Sequence, residues 1–143
     1  MRLHFILPLF LAFGCFPAFA QSNDDFADAE ELSGTLPLSD GPVDNGSATV
    51  EEDEADLVFD SIATNSLWWK WTATSTIDVE VNTSSSAFDT VLAVYKGSQV
   101  DDLYKIGSND DLSSTIKQSR VRFTAISGEV YYFSVDGFHT VST

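Results

Sequence analysis

The sequence predicts an all-β fold, an antiparallel β-sandwich or jelly roll of about seven or eight strands. Apolar and polar residues alternate over 77–82 and over 120–125, as in strands with one buried face. The stretch Thr90 to Tyr95 is apolar on both faces, which is typical of a central strand that is covered on each side. Such segments recur at short intervals between Gly, Ser, Asn and Asp residues, and this spacing favours a sandwich.

The order of the elements predicts one domain with two unlike parts. Residues 21–65 are polar, acidic and interrupted by prolines and glycines, which predicts loops with one or two short strands. Residues 66–137 form the strand core. The predicted strands are 66–73, 76–82, 88–96, 103–108, 119–126 and 129–136.

Residues 1–20 have the pattern of a signal peptide. Arg2 provides the positive start, an apolar run extends over residues 5–16, and Ala18 and Ala20 are small residues at the −3 and −1 positions. The apolar run is shorter than the about 20 residues that cross a bilayer. We therefore expect cleavage after Ala20 and a secreted chain that is extracellular, periplasmic or on the cell surface.

Charge and cysteine content restrict the partners. The chain has 22 acidic and 7 basic residues and a formal net charge of −15, which becomes one unit more negative when Arg2 leaves with the leader. Such a surface repels nucleic acid and anionic lipid and attracts cations. We expect no nucleic-acid partner and no membrane insertion after cleavage. The single cysteine, Cys15, lies in the leader; the alternative of a lipid-attachment cysteine is disfavoured by the residues before it.

Two groups of acidic residues predict a calcium site. Residues 51–56 contain five carboxylates, and residues 109–111 add an Asn-Asp-Asp group. If consecutive strands alternate in direction, the loops before 66–73, between 82 and 88, and between 108 and 119 emerge at one end of the sandwich. Calcium takes six to eight oxygen ligands from such loops; the alternative is that these residues are solvated or cap loop amides. The candidate ligands are Glu51, Glu52, Asp53, Asp89, Asn109, Asp110 and Asp111.

Six segments of the chain carry a family resemblance: 23–29 (NDDFADA), 66–73 (SLWWKWTA), 88–95 (FDTVLAVY), 108–111 (SNDD), 119–123 (SRVRF) and 131–137 (YYFSVDG). In this order they resemble the bacterial pre-peptidase C-terminal domain. The resemblance implies a compact β-sandwich that is appended to secreted bacterial proteins, peptidases among them, and is not itself catalytic. It also implies a relation to collagen-binding domains of collagenases, which bind calcium through an acidic and amide-rich N-terminal segment; the matching positions here are Asn23, Asp24 and Asp25, with Glu51, Glu52 or Asp53.

The resemblance also bears on the end of the sheet. Members of the family usually continue past the segment that matches 135–137 into a last apolar strand, whereas six residues follow Gly137 here. We therefore expect either a stunted closing strand or a truncated chain, and a missing strand would leave a sheet edge open.

The catalytic residue types are sparse. His139 is the only histidine after the leader, and no nucleophile elbow, Walker sequence or zinc pattern is present. We therefore predict a non-catalytic accessory or binding module. The alternatives are a fragment of a longer secreted peptidase or other hydrolase, and a small carboxylate-based hydrolase.

A tryptophan cluster suggests a second kind of site. Alternation places Trp69 and Trp71 on the core face and Trp68 on the opposite face. Trp68 is a candidate platform for a ligand, with Tyr132 as a second contributor; the alternative is that Trp68 is buried beneath a second sheet or a loop. The expected partner is an extracellular protein or polysaccharide, and we expect the domain to be a monomer.

Overall fold

The chain folds into an open, all-β sandwich, as predicted. A computed structural model describes residues 21–41, 43–55, 57 and 63–138. The predicted leader, the closing segment with His139, and Asp56 lie outside the described residues. All six predicted strands are found within two residues of their expected ends. The strands are β1 (Glu30–Glu31), β2 (Leu67–Thr72), β3 (Ile77–Asn82), β4 (Thr90–Lys96), β5 (Tyr104–Asn109), β6 (Arg120–Ala125) and β7 (Val130–Gly137).

Two sheets of unequal size form the sandwich. The larger has the order β1-β2-β7-β4-β5, and the smaller pairs β3 with β6. Every pairing is antiparallel except that of β1 with β2. Two short 3₁₀ helices, Phe26–Asp28 and Val100–Asp102, are present in addition to the strands. No helix among the described residues is long and apolar enough to cross a membrane.

Both faces of the larger sheet are covered. Leu92 and Val94 of β4 belong to the cluster between the two sheets, which also contains Trp71 and Tyr131. Val91, Ala93 and Tyr95 of the same strand belong to a second cluster on the opposite face. This arrangement confirms the prediction that β4 is a central strand, and it explains why β4 lacks polar residues at alternate positions. The loop-rich N-terminal part therefore acts as a third layer.

Trp68 is buried beneath that layer and is not a ligand platform. Its side chain is 1% exposed, and its ring packs edge-on against Phe26 at a centroid distance of 5.3 Å. Tyr132 is half-buried, and its ring centroid lies 4.4 Å from that of Phe26. Of the two interpretations of Trp68, the structure shows the alternative, burial beneath a loop, and not an exposed platform, because the N-terminal segment covers this face. Trp71 is in the core as predicted, whereas Trp69 is half-buried and donates a hydrogen bond to Asp40.

Phe26 anchors the N-terminal layer, and its truncation tests that role. Phe26 is 7% exposed, whereas Phe88 is 41% exposed. Phe26→Ala should lower the free energy of unfolding by about 3–4 kcal/mol, because it leaves a cavity beside Trp68. The matched variant Phe88→Ala should cost less than about 1 kcal/mol. Urea unfolding followed by tryptophan fluorescence measures both, and equal losses would contradict the anchoring role.

Candidate metal centre

Antiparallel pairing brings three aspartates together at one end of the larger sheet. Asp89 lies directly before β4, and Asp110 and Asp111 lie directly after β5. Because β4 and β5 are antiparallel neighbours, the start of one strand lies beside the end of the other. One carboxylate oxygen from each aspartate lies within 4.8 Å of the other two. Of the three loops predicted to meet at this end, the structure brings together the loop that carries Asp89 and the loop that carries Asp110 and Asp111. We call these three residues the aspartate cluster.

Hydrogen bonds beneath the aspartate cluster hold its two loops in place. Ser119 is fully buried, and its hydroxyl lies 2.6 Å from the carbonyl oxygen of Asp110. The N–H of Thr90 donates to the carbonyl of Lys117 (3.0 Å), and the N–H of Phe138 donates to the carbonyl of Asp89 (3.0 Å). These contacts fix the backbone on which the carboxylates stand, so the aspartates converge without depending on a bound ion.

Asn109 braces this end of the sheet. Its Oδ1 accepts a hydrogen bond from the N–H of Arg120 (2.8 Å), and its Nδ2 donates to the carbonyl of Asp111 (3.1 Å). The side-chain oxygen that a metal would require is therefore already engaged. Among the predicted ligands in this loop, Asn109 has a supporting position and the two aspartates supply the carboxylates.

The carboxylates of the aspartate cluster are incompletely compensated. The Oδ1 atoms of Asp89, Asp110 and Asp111 are each buried and have no hydrogen-bond partner. Burial, followed by the negative charges of Asp111 and Asp89, raises the pKa of Asp110 above its ordinary value, and Lys117 opposes that rise. Buried acceptors without partners carry a desolvation cost that a cation would relieve. The aspartate cluster could therefore hold a metal ion.

Lys117 also lies at this end of the sheet, and the sequence patterns did not single it out. Its Nζ lies 2.6 Å from Asp111 Oδ2 and 3.8 Å from Asp89 Oδ2. The hydrogen bond to Asp111 raises the pKa of the Lys117 ammonium above its ordinary value. A signal was available in the sequence, because Lys117 is the only basic residue between Asp110 and Ser119.

The predicted N-terminal ligands are used in other ways. Asn23 is buried and donates from Nδ2 to the carbonyl of Trp68 (3.0 Å). Both carboxylate oxygens of Asp24 accept hydrogen bonds from Thr49, one from its N–H and one from its hydroxyl. Asp25 is exposed at the start of the first 3₁₀ helix and makes no side-chain cap. These residues dock the N-terminal segment and do not join the aspartate cluster.

The predicted ligands in the 51–53 loop also stand apart from the aspartate cluster. Glu51 accepts a hydrogen bond from the N–H of Phe26 (2.6 Å) and so secures the residue that covers Trp68. Glu52 and Asp53 are exposed, and Asp53 has a φ of 68°, a turn conformation that Asp and Asn tolerate. This loop matches the alternative prediction, in which acidic residues cap backbone amides and support turns.

Two carboxylates that were not among the predicted ligands secure the loop layer. Asp136 is 1% exposed, and its Oδ2 accepts hydrogen bonds from the N–H groups of Thr64 (2.6 Å) and Asn65 (3.1 Å). Glu54 Oε2 accepts from the hydroxyl of Ser66 (2.8 Å), while Glu54 Oε1 is buried without a partner. Asp136, which lies on β7, and Glu54 thus hold the residues that precede β2 in place by hydrogen bonds.

The environment of Glu54 favours its protonated form. The pKa of Glu54 is raised from 4.5 to about 7, chiefly by burial; hydrogen bonds from Ser66 and Glu51 oppose the rise, and the charges of Glu51 and Asp136 add to it. Between these two values the folded chain retains a proton that the unfolded chain has lost. The contribution of Glu54 to the free energy of unfolding is therefore present below pH 4.5 and is lost as the pH rises through about 7.

The variant Glu54→Gln tests whether Glu54 retains this proton in the folded protein. The variant should gain roughly 1–2 kcal/mol relative to the wild type between about pH 5 and about pH 8, because glutamine needs no proton to be buried. The matched variant Glu52→Gln changes an exposed side chain of the same loop. It should leave the pH dependence of the free energy of unfolding unchanged. Urea unfolding across this pH range measures the effect, and parallel profiles for the wild type and Glu54→Gln would refute it.

No protein-family model, curated protein or solved structure matches this chain. The likeness to the pre-peptidase C-terminal domain thus rests on the six sequence segments, which contain all three aspartates of the cluster.

Proposed function

We propose that this chain is a secreted, non-catalytic β-sandwich module that binds calcium at the aspartate cluster and serves as an accessory or binding domain. The observation that carries the proposal is the set of three buried Oδ1 atoms, one from each aspartate, that have no hydrogen-bond partner and lie on converging loops. One oxygen from each of these carboxylates lies within 4.8 Å of the other two, so a single cation would compensate all three residues.

The donor set favours calcium among the common metals. Carboxylate oxygens are hard ligands that suit calcium, magnesium and manganese rather than zinc or copper. The side chains of Asp89 and Asp111 are 35% and 24% exposed, so water can complete a coordination shell from outside. Calcium accepts six to eight oxygens in flexible geometry, whereas magnesium demands a near-ideal octahedron. Three carboxylates on two loops, together with water, therefore fit calcium better than magnesium.

The role of the ion would be to order the loops that follow β3 and β5. These loops are already linked, because Gln118 Nε2 donates to the carbonyl of Ser86 (3.0 Å) and the N–H of Ser119 donates to Thr83 Oγ1 (2.9 Å). Calcium at the aspartate cluster would add a second link at their outer end. Sites of this kind in extracellular modules bind in the range of about 10⁻⁴–10⁻³ M, which suits a protein outside the cell.

The accessory role comes from the resemblance to the pre-peptidase C-terminal domain. It implies a module of an exported bacterial enzyme, with an extracellular protein or polysaccharide as its ligand and no catalytic residues of its own. A fragment of a longer secreted peptidase or other hydrolase and a small carboxylate-based hydrolase are the alternatives. With Trp68 buried, a ligand surface must be sought elsewhere, and the calcium-bearing end of the sandwich is the first candidate.

Thermal unfolding of residues 21–143 with calcium or with chelator tests the metal site. Calcium at about 100 times its dissociation constant should add about 2.7 kcal/mol to the free energy of unfolding and raise the Tm by roughly 5–10 °C. Asp110→Asn should abolish the rise, because it removes one of the three carboxylates. Asp53→Asn, which also removes one charge and retains a residue suited to a φ of 68°, should keep the full rise.

Magnesium at the same concentration is the control for ionic strength and should give a smaller shift. Absence of any calcium-dependent shift in a cooperatively folded wild type would refute the metal site. An equal loss of the shift in Asp53→Asn and Asp110→Asn would show that net charge, rather than the aspartate cluster, is responsible.

Export is tested by expressing residues 1–143 in a bacterial host and determining the mature N-terminus. The leader pattern predicts a processed protein that begins at Gln21, found outside the cytoplasm. Replacement of Ala20 by a bulky residue should block processing, because the peptidase requires a small residue at −1. Unprocessed protein in the cytoplasm of cells that carry the unaltered sequence would contradict secretion.

A further inference from the structure

We infer that the Lys117 ammonium group is a built-in competitor for the cation site: it compensates the aspartate cluster when no metal is bound and weakens the binding of a divalent ion. This inference rests on the proposed calcium site. In this inference, Lys117 lowers the affinity of the site for the metal. The same residue stabilises the protein when no metal is bound.

Lys117 contacts one oxygen in each of two carboxylates and leaves other oxygens of the aspartate cluster without a partner. The ammonium contacts the Oδ2 atoms of Asp111 and Asp89, at 2.6 Å and 3.8 Å. The Oδ1 atoms of these two residues and of Asp110 are left without a partner. A cation that binds these three aspartates therefore finds their carboxylates already gathered, but it also finds the positive charge of Lys117 in contact with two of them.

The charge balance indicates a divalent ion. With the four groups ionised, three carboxylates and one ammonium leave two negative charges, which one divalent ion neutralises. Repulsion between the ion and the ammonium lowers affinity, because both attract the same carboxylates across a few ångströms. Removing the positive charge should therefore tighten calcium binding by about tenfold.

The geometry lets Lys117 withdraw without disturbing the loop. Its backbone carbonyl is held by the N–H of Thr90 at the first residue of β4, so the main chain stays in place. Its side chain is 49% exposed, so the ammonium can leave the carboxylates for solvent when an ion arrives. The lysine is thus a counter-ion that the metal displaces, not a part of the packed core.

Lys96, the last residue of β4, offers a matched control. Its ammonium also pairs with one carboxylate, at 2.5 Å from Glu129 Oε2, and its side chain is also partly exposed. Lys96 ends β4, whereas the aspartate cluster flanks the start of that strand. Lys96→Met and Lys117→Met therefore make the same change of net charge at opposite ends of β4.

The test is calorimetric titration of calcium into residues 21–143, combined with thermal unfolding in chelator. Lys117→Met should bind calcium about tenfold more tightly than the wild type while its Tm in chelator falls; Lys117→Gln, a second neutral replacement, should behave in the same way. Lys96→Met should bind calcium within about twofold of the wild type. A residue with only a structural role would lower Tm and affinity together.

Four outcomes are distinguishable. Tighter binding by both Lys117 variants supports the inference, and so does binding by these variants when the wild type binds too weakly to measure. Affinity equal to or weaker than that of a binding wild type overturns the inference and leaves the calcium site standing. Absence of binding by the wild type and both Lys117 variants, each shown by circular dichroism to be folded, overturns the calcium site and the inference with it.

Discussion

Burial of the larger sheet on both faces is the constraint on which the rest of the structure depends. Among the residues that the structure describes, the smaller sheet has two strands and covers one face. Residues 21–57, which contain little regular structure, must cover the other face. A layer of loops can cover a hydrophobic face only if its own buried backbone N–H and C=O groups have hydrogen-bond partners. The architecture therefore needs a supply of hydrogen-bond acceptors close to that layer, and the acidic residues provide them.

Two structural groups can be distinguished among the acidic residues that have a defined role in the described part of the chain. In the first group, a carboxylate accepts hydrogen bonds from backbone N–H groups and fixes a loop, as Asp24, Glu51 and Asp136 do. In the second group, at the aspartate cluster, the carboxylates face one another and keep unpartnered oxygens. The difference is one of geometry, because both groups have the same chemistry. A carboxylate beside free amides completes the fold, whereas carboxylates that converge create a demand for a cation.

This division bears on how calcium would act. The loop layer is secured by internal hydrogen bonds, and the proposed cation would act where the start of β4 lies beside the end of β5. In this proposal, fold integrity and ion binding depend on different carboxylates. Such a separation lets the cation order one surface of a domain that is already folded, which is the behaviour expected of a binding module whose ligand surface responds to its surroundings.

The sequence by itself determined the strands, their buried faces and the meeting of Asp89 with Asp110 and Asp111. Period-two alternation reports burial directly, and antiparallel neighbours must place the start of one strand beside the end of the next. Only the tertiary structure decided that Trp68 is covered, that the 51–53 loop stays apart from the aspartate cluster and that Lys117 enters it. These outcomes depend on loops, whose paths have no periodic signature. Contacts such as that of Phe26 with Trp68 join residues distant in sequence, and the chain must fold before they form.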